Sequence, residues 1–334
     1  MTAEMSEPIG AALLGTCHAH GTSKLKVLCD SPDFEVVGVC EPDAELLQAA
    51  KQNAAFSGVR WLEMDELLAD EQIRMVAVEG RVRDNLGFAR AAIEAGKHVH
   101  LDKPAGTSLP EFDALLGLAE ARDLVVQMGY QFRYNAGFEL CLQAVREGWL
   151  GDIFYVHGEI NSDIPPDIRV GLTEYRGGMM FELACHLIDI LVAILGESHT
   201  VTPFLRHDGS ADDDLEDNCT AVFQYERAIA VIHTAALEVH AGARRCWEVC
   251  GTNGTVIVQP LEPPAVRICL NSPCGGFDAG WQTVAVANIP RYVRDMAELA
   301  ECIRGECQPS YAPAHDLATQ RAVLAACGAQ SEQA

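Results

Sequence analysis

The first 130 residues alternate short apolar runs with amphipathic stretches, and this alternation constrains the fold more than any other feature. Runs rich in Val, Ile and Leu predict strands, and the stretches between them carry helical periodicity. Strands that are apolar on both faces and separated by helices predict a parallel sheet covered on both sides. The predicted strands lie at 9–15, 34–40, 73–79, 98–102 and 124–129. We therefore expect a doubly wound α/β domain, a parallel Rossmann sheet, over residues 1–130.

The character of the sequence changes after Tyr130. Helices are predicted at 136–148 and from about 178 to 195, with a strand between them at 153–160. From 200 to 270, short apolar runs separated by Gly, Asn and Pro indicate a large, mainly antiparallel open sheet.

We expect an α+β domain over 131–289, in which Thr252-Asn253-Gly254 forms a hairpin turn. The helical segment 290–334 is predicted to pack back on the first domain.

Composition excludes several classes of partner and location. The 24 basic and 48 acidic residues give a net charge of −24, which disfavours binding to nucleic acid or to an anionic membrane. No apolar run reaches the roughly 18 residues of a membrane span. The N-terminus carries Glu4 and Glu7 but lacks the basic start of a signal peptide. The thirteen cysteines form no CxxC pair, so we expect reduced thiols and a cytoplasmic protein.

A candidate dinucleotide turn follows the first strand. Gly15 is succeeded by Thr16-Cys17-His18-Ala19-His20, where a helix N-terminus could point its N–H groups at a pyrophosphate. Only the first glycine of the GxGxxG pattern is present, so an ordinary strand-to-helix turn is the alternative. The candidate cofactor residues here are Gly15, Cys17, His18 and His20.

Glu41 ends the second predicted strand, 21 positions after His20. A carboxylate at this place can accept hydrogen bonds from the adenosine ribose hydroxyls and repels a 2′-phosphate. The sequence therefore favours NAD over NADP. The alternative is a solvated acid that opens a helix.

Two further patterns offer catalytic chemistry. Asp102-Lys103-Pro104 ends a strand at the sheet edge where parallel sheets hold ligands, although an isolated lysine there is commonly a solvated charge. Glu182 and His186 are four residues apart on one predicted helix, so the carboxylate could orient the imidazole as a general base. The alternative is a surface pair or a core histidine. A metal site formed with Asp189 is less favoured, and we expect no metal.

Taken together, these motifs resemble the glucose-fructose oxidoreductase, inositol dehydrogenase and MocA family. The resemblance includes the glycine turn, the acid after strand two, the Asp-Lys-Pro tripeptide, GYQFRYN at 129–135, and Gly-Gly followed by acid-x-x-x-His. It runs from Ile9 to the last helix.

The resemblance implies residue roles. Lys103 matches the lysine of the family's Glu-Lys-Pro motif, His186 its catalytic histidine, and Glu182 the aspartate that partners this histidine. The family's Thr-Pro-Asn loop, which touches the nicotinamide half of the cofactor in relatives, is replaced here from Glu79 onward. Glu79 and Asp102 are therefore candidate cofactor residues. The candidate substrate-binding residues are Arg133, Tyr134, Asn161, Tyr175 and Arg176.

The implied activity is an NAD-dependent oxidoreductase acting on a secondary hydroxyl of a sugar, cyclitol or glycoside. Two alternatives stay open: glycoside cleavage through transient oxidation with no net redox change, and a non-catalytic ligand-binding or assembly protein on the same fold. The resemblance also implies a homodimer or homotetramer formed through the C-terminal sheet.

Overall fold

The computed structural model describes residues 7–329, so Glu4 and the ends of the predicted first and last segments lie outside the described residues. The chain divides into two compact units. The N-terminal unit comprises residues up to Gly129 with Pro290–Leu317, and the C-terminal unit comprises Tyr130–Ile289 with residues from Ala318 onward. The division assigns Pro290–Leu317 to the N-terminal unit, and packing of the whole segment 290–334 on the first domain stays a prediction.

The N-terminal unit contains a five-stranded parallel sheet in the order β2-β1-β3-β4-β5. Its strands are β1 (Ile9–Leu14), β2 (Phe34–Cys40), β3 (Met75–Val78), β4 (His98–Leu101) and β5 (Val126–Met128). All four residues of β3 are buried, and because successive side chains point to opposite faces, both faces of this strand are covered. The predicted Rossmann sheet is confirmed.

Two of the helices of this unit begin at residues whose side chains cap them. Asp43 accepts hydrogen bonds from the N–H groups of Glu45 and Leu46, and Ser108 accepts one from Glu111. The helices are α1 (Ala19–Asp30), α2 (Ala44–Gln52), α3 (Met64–Ala69), α4 (Val82–Glu94), α5 (Leu109–Ala121) and α10 (Val293–Ile303).

The core of the N-terminal unit joins its first strand to two helices. Leu13 of β1 and Leu28 of α1 are fully buried in one cluster with Met296 and Leu299 of α10. Burial of such side chains stabilises the fold by about 1.5–3 kcal/mol each. This packing holds α1, the helix that follows the candidate cofactor turn, against β1 and α10.

The C-terminal unit contains an eight-stranded sheet in the order β13-β12-β11-β10-β6-β9-β8-β7. Neighbouring strands are antiparallel except for the β6–β9 pair. The strands are β6 (Ile153–Glu159), β7 (Thr200–Arg206), β8 (Asn218–Gln224), β9 (Ile229–Ala235), β10 (Cys246–Gly251), β11 (Gly254–Val258), β12 (Val266–Leu270) and β13 (Gly280–Val284). The predicted hairpin joins β10 to β11.

One helix prediction is wrong in this unit. The single helix expected from about 178 to 195 is two helices, because Leu183 and Ala184 form a turn. The helices within Tyr130–Ile289 are α6 (Ala136–Arg146), α7 (Pro166–Leu172), α8 (Met179–Glu182) and α9 (Cys185–Leu195). The division between the units falls inside α11 (Pro313–Ala326), after Leu317. The sequence did not predict α7. Among the described helices, none is long and apolar enough to cross a membrane.

Candidate active site

The turn after β1 requires its one glycine. Gly15 has a φ of +90°, and a Cβ atom there would lie 2.3 Å from the backbone nitrogen of Gly80. The turn therefore passes too close to the chain after β3 to accept a side chain at this position. Cys17 projects an exposed side chain from the turn, and His18 is the N-cap residue of α1.

Glu41 is tied to the same turn. It is 7% exposed, and its Oε2 accepts hydrogen bonds from the Thr16 amide at 2.6 Å and hydroxyl at 2.8 Å. Its Oε1 accepts the amide of Asp43 at 3.0 Å. The carboxylate after β2 is thus held beside the glycine turn rather than free in solvent. Thr16, which holds this carboxylate in place, was not predicted from the sequence as a site residue.

Behind the turn lies a buried group of charges that we call the Lys24 cluster: Lys24, Glu79 and Asp102. The ammonium of Lys24 donates to Glu79 and, at 2.7 Å, to Oδ1 of Asp102, and all three side chains are at most 1% exposed. A Cβ on Gly129 would lie 2.9 Å from the Lys24 nitrogen, so this glycine leaves room for the ammonium. Lys24 was not predicted from the sequence as a site residue. Its signal was a lysine on the face of α1 that also carries buried Gly21 and Leu28.

Burial and pairing set the protonation of this cluster. Burial would raise the pKa of Asp102, but Lys24 and the imidazoles of His18 and His20 hold it well below its usual value. Burial, together with the charge of Asp102, raises the pKa of Glu79 to about 7 against the opposing effect of Lys24. One ammonium thus faces two carboxylates, and Asp102 is the one that stays ionised.

His18 and His20 both approach Asp102. Their Nδ1 atoms lie 3.2 Å from its two oxygens, that of His18 from Oδ2 and that of His20 from Oδ1. Burial lowers the pKa of His20 to about 4, against the attraction of Asp102, so its imidazole is neutral at pH 7. The ring of Tyr292, at the start of α10, lies 5.7 Å from that of His20.

Lys103 follows Asp102 at the carboxyl end of β4 and is 2% exposed. Its peptide bond to Pro104 is cis. The lysine is therefore a buried group at the ligand-binding edge of the sheet, and not a solvated surface charge.

In the C-terminal unit, the GYQFRYN motif supplies aromatic side chains around His186. This histidine is 1% exposed in the first turn of α9, with its ring 6.1 Å from that of Tyr130 and 5.7 Å from that of Phe132, both edge-on. Glu182, half-buried, is the last residue of α8. The turn between α8 and α9 means that the two residues do not belong to one continuous helix, as the sequence had predicted.

The glycine pair before α8 is also required by packing. Gly177 and Gly178 both have positive φ, and Cβ atoms there would lie 2.4 Å from Sγ of Cys327 and 2.7 Å from the carbonyl oxygen of Glu216. The backbone that leads to Glu182 therefore depends on both glycines.

Two of the predicted substrate residues use their polar atoms within this unit. Arg133 is 3% exposed and donates from Nε at 3.0 Å and Nη2 at 2.7 Å to the carboxylate of Asp189. Asn161 donates to Glu159 and Glu238 and accepts the Ala235 amide. Their roles in substrate binding stay predictions, and the Arg133 pair also gives Asp189 a partner other than a metal.

The other three predicted substrate residues are more accessible. Tyr134 and Tyr175 are half-buried, and the ring of Tyr175 stacks on Phe181 with centroids 5.1 Å apart. Arg176 is exposed, with its guanidinium close to Gly328.

Comparison with known proteins places this arrangement in a family. Residues 9–130 match the family described as "Oxidoreductase family, NAD-binding Rossmann fold", and residues 138–257 match the GFO/IDH/MocA C-terminal domain. The chain belongs to the GFO/IDH/MocA oxidoreductase family. It is an oxidoreductase with an NAD-binding Rossmann domain, as the sequence predicted.

Relatives of this GFO/IDH/MocA protein are distant. The inositol 2-dehydrogenase of Salmonella typhimurium (strain LT2) is 23% identical over 78% of this chain and 75% of its own. GenD2 from gentamicin A biosynthesis, solved in complex with NAD, has a TM-score of 0.78 at 22% identity, over 97% of this chain and 94% of its own. UDP-N-acetylglucosamine 3-dehydrogenase GnnA from Acidithiobacillus ferrooxidans has a TM-score of 0.76 at 20% identity, over 96% of each chain.

The turn of this family member fits a dinucleotide, although not through the usual glycines. The close approach at Gly15 and the carboxylate of Glu41 beside the turn are the features that a Rossmann site needs. Cys17 and His20 stand at the positions of the second and third glycines, so the turn presents side chains where the glycine pattern leaves bare backbone.

Proposed function

We propose that this protein is an NAD-dependent dehydrogenase that transfers hydride between nicotinamide and a secondary hydroxyl of a sugar, cyclitol or glycoside. The observation that carries the proposal is His186, a buried imidazole placed between aromatic edges at the start of α9. A histidine shielded in this way is suited to exchange a proton with a substrate hydroxyl rather than with bulk water.

The side chains have separate roles in this proposal. His186 accepts the hydroxyl proton, Glu182 orients its imidazole, and the ammonium of Lys103 stabilises the developing alkoxide. Bound NAD supplies the hydride acceptor at C4 of the nicotinamide. Tyr134, Tyr175 and Arg176 contact substrate hydroxyls.

The cofactor residues proposed are those around the turn. Gly15, Cys17, His18 and His20 would hold the pyrophosphate, Glu41 would accept the ribose hydroxyls, and Glu79, Asp102 and Lys103 would hold the nicotinamide half. Glu41 supports NAD over NADP, since a buried carboxylate repels a 2′-phosphate. The NAD complex of GenD2 agrees with this choice.

The substrate class rests on chemistry and on relatives. Inositol 2-dehydrogenase and UDP-N-acetylglucosamine 3-dehydrogenase both carry names of enzymes that oxidise ring hydroxyls. We propose the same class of small carbohydrate-like substrate here. We further propose a homodimer or homotetramer that uses the open face of the eight-stranded sheet. We also propose a cytoplasmic location, which the thirteen free thiols support.

The test follows NADH formation by absorbance with a panel of cyclitols, sugars and nucleotide sugars. With a substrate from that panel, His186→Asn should lower kcat at least about 100-fold, the usual contribution of a general base. His199→Asn, at an exposed histidine, should leave turnover unchanged. Turnover retained by His186→Asn would overturn this role, and product formation without net NADH would replace the dehydrogenase with the transient-oxidation reaction.

A second arm of the same assay tests the cofactor. Glu41→Gln should raise the KM for NAD about tenfold and improve the use of NADP relative to NAD, because the charge that repels a 2′-phosphate is removed. If the wild-type protein uses both cofactors with equal kcat/KM, the preference for NAD is wrong.

A further inference from the structure

Three side chains with metal-binding atoms converge at the start of α1. One ring nitrogen of His18, one ring nitrogen of His20 and a carboxylate oxygen of Asp102 all lie within 4.8 Å of one another. Each imidazole nitrogen is 3.2 Å from one oxygen of the carboxylate. Two ligand atoms each about 2.1 Å from a shared ion are about 3.0–3.4 Å apart at tetrahedral to octahedral angles, so this spacing matches a coordination shell.

The charge of the buried Lys24 cluster also favours a bound cation. Lys24 is paired with both Glu79 and Asp102, so the buried cluster holds one ammonium against two carboxylates. Above pH 7, where Glu79 ionises as well as Asp102, the cluster carries two negative charges against one positive charge. Buried charges are costly unless they are paired or coordinate a metal. The carboxylate that faces the two imidazoles is therefore a place where an added cation is stabilised.

Lys24 does not occupy the whole carboxylate. Its ammonium and the Nδ1 of His20 approach Oδ1 of Asp102, whereas Oδ2 faces His18 at 3.2 Å. An ion between the two imidazoles would use Oδ2 beside His18 and Oδ1 beside His20, and Oδ1 has a second lone pair for its bond to Lys24. It would also replace the bond by which Nδ1 of His18 accepts the His20 amide at 3.3 Å. The side chains of His18 and His20 are 22% and 17% exposed, which gives an ion access from solvent and leaves room for water ligands.

We propose that His18, His20 and Asp102 form a binding site for a divalent first-row transition metal. Two imidazoles and one carboxylate suit Zn²⁺, Co²⁺ or Ni²⁺, and disfavour Mg²⁺ and Ca²⁺, which prefer all-oxygen shells. This site departs from the sequence analysis, which expected no metal. It goes beyond the proposed dehydrogenase activity, and it uses three residues that the proposed function also assigns to the cofactor.

The experiment uses the full chain, treated with a chelator and titrated with Co²⁺ under reducing conditions. We expect one equivalent to bind with the weak visible bands of a nitrogen and oxygen shell and to raise the Tm, since a ligand of the folded state stabilises it. His18→Gln and His20→Gln should each weaken binding at least tenfold and abolish the rise in Tm. The control His199→Gln, at an exposed histidine, should bind Co²⁺ as the wild type does.

Three results would overturn the site: no saturable Co²⁺ binding, binding unchanged in both histidine variants, or the intense ultraviolet bands of thiolate-bound Co²⁺. The last would assign the ion to cysteines such as Cys302 and Cys307, whose sulfurs are 3.3 Å apart. Circular dichroism of each variant shows that it is folded. Binding of NAD by the same chelated preparations is measured by fluorescence, so failure of the metal site and failure of the proposed function give different results.

Discussion

Lys24 determines whether the N-terminal unit can bury the carboxylates of Glu79 and Asp102. It lies in the same helix as Lys26, which pairs with Asp30 at the surface, with the two side chains 75% and 65% exposed. The two lysines make similar bonds in opposite environments. Removing one partner of a buried pair leaves an uncompensated charge, whereas exposed pairs contribute little.

Lys24→Met should therefore lower the free energy of unfolding by about 3–5 kcal/mol, and Lys26→Met by less than about 0.5 kcal/mol. Adding Asp102→Asn to Lys24→Met should recover part of the loss, because Asp102 is the carboxylate that stays ionised and its charge is then removed. Urea denaturation of the four proteins measures these differences. Equal losses in the two lysine variants would show that the buried bonds do not stabilise the unit.

Single site residues can be predicted from the sequence where a residue type has one chemical use. Gly15 and Glu41 were identified because a strand-to-helix turn needs a residue tolerant of positive φ and a ribose needs an acceptor. Lys24 was missed because a lysine in an amphipathic helix is normally solvated, and its partners are 55 and 78 residues away in the chain. The order of strands in the sheet brings such distant residues together, and hydrophobic periodicity does not specify that order.

Elements were predicted best where apolar periodicity is uninterrupted. The bounds of β2 agree with the predicted strand at both ends. The break between α8 and α9 was not visible, since Leu183 and Ala184 are good helix formers and only packing introduces the turn. A helix of seven residues such as α7 is too short to show a clear period.

His98 links two elements of the parallel sheet and makes that link sensitive to pH. Its Nδ1 at the start of β4 accepts the amide of Val125 at 3.0 Å, just before β5. Burial, reinforced by Arg74, lowers its pKa from 6.5 to about 4. The unfolded chain thus binds the proton more tightly, so this contribution to stability is complete above pH 6.5 and is lost as the pH falls toward 4.

Between pH 7 and pH 4, the wild type should lose about 1–2 kcal/mol more of its free energy of unfolding than His98→Gln, which cannot titrate. Chemical denaturation across this pH range measures the difference. His199→Gln, at an exposed histidine, should follow the wild-type curve. An identical pH profile for His98→Gln and the wild type would show that His98 is not protonated over this interval.

The eight-stranded sheet of the C-terminal unit has two unlike faces. Register places buried Val156, Val249 and Val256 on one face. The other face carries a row across the strands that includes Ile229, Tyr155 and Trp281. Ile229 is 51% exposed and Trp281 is 56% exposed. Large exposed apolar side chains on a broad sheet are typical of association surfaces.

This open face leads to a prediction about assembly. The protein should run as a dimer or tetramer in light scattering coupled to size exclusion, and Ile229→Glu should raise the dissociation constant at least tenfold, because it buries a charge in the contact. Ile168→Glu is the matched control, as Ile168 on α7 is 53% exposed but lies outside the sheet. A monomeric wild type, or equal dissociation in both variants, would contradict an interface on this face. If Ile229→Glu dissociates the oligomer and Ile168→Glu does not, the contact includes the row of side chains that contains Ile229, Tyr155 and Trp281.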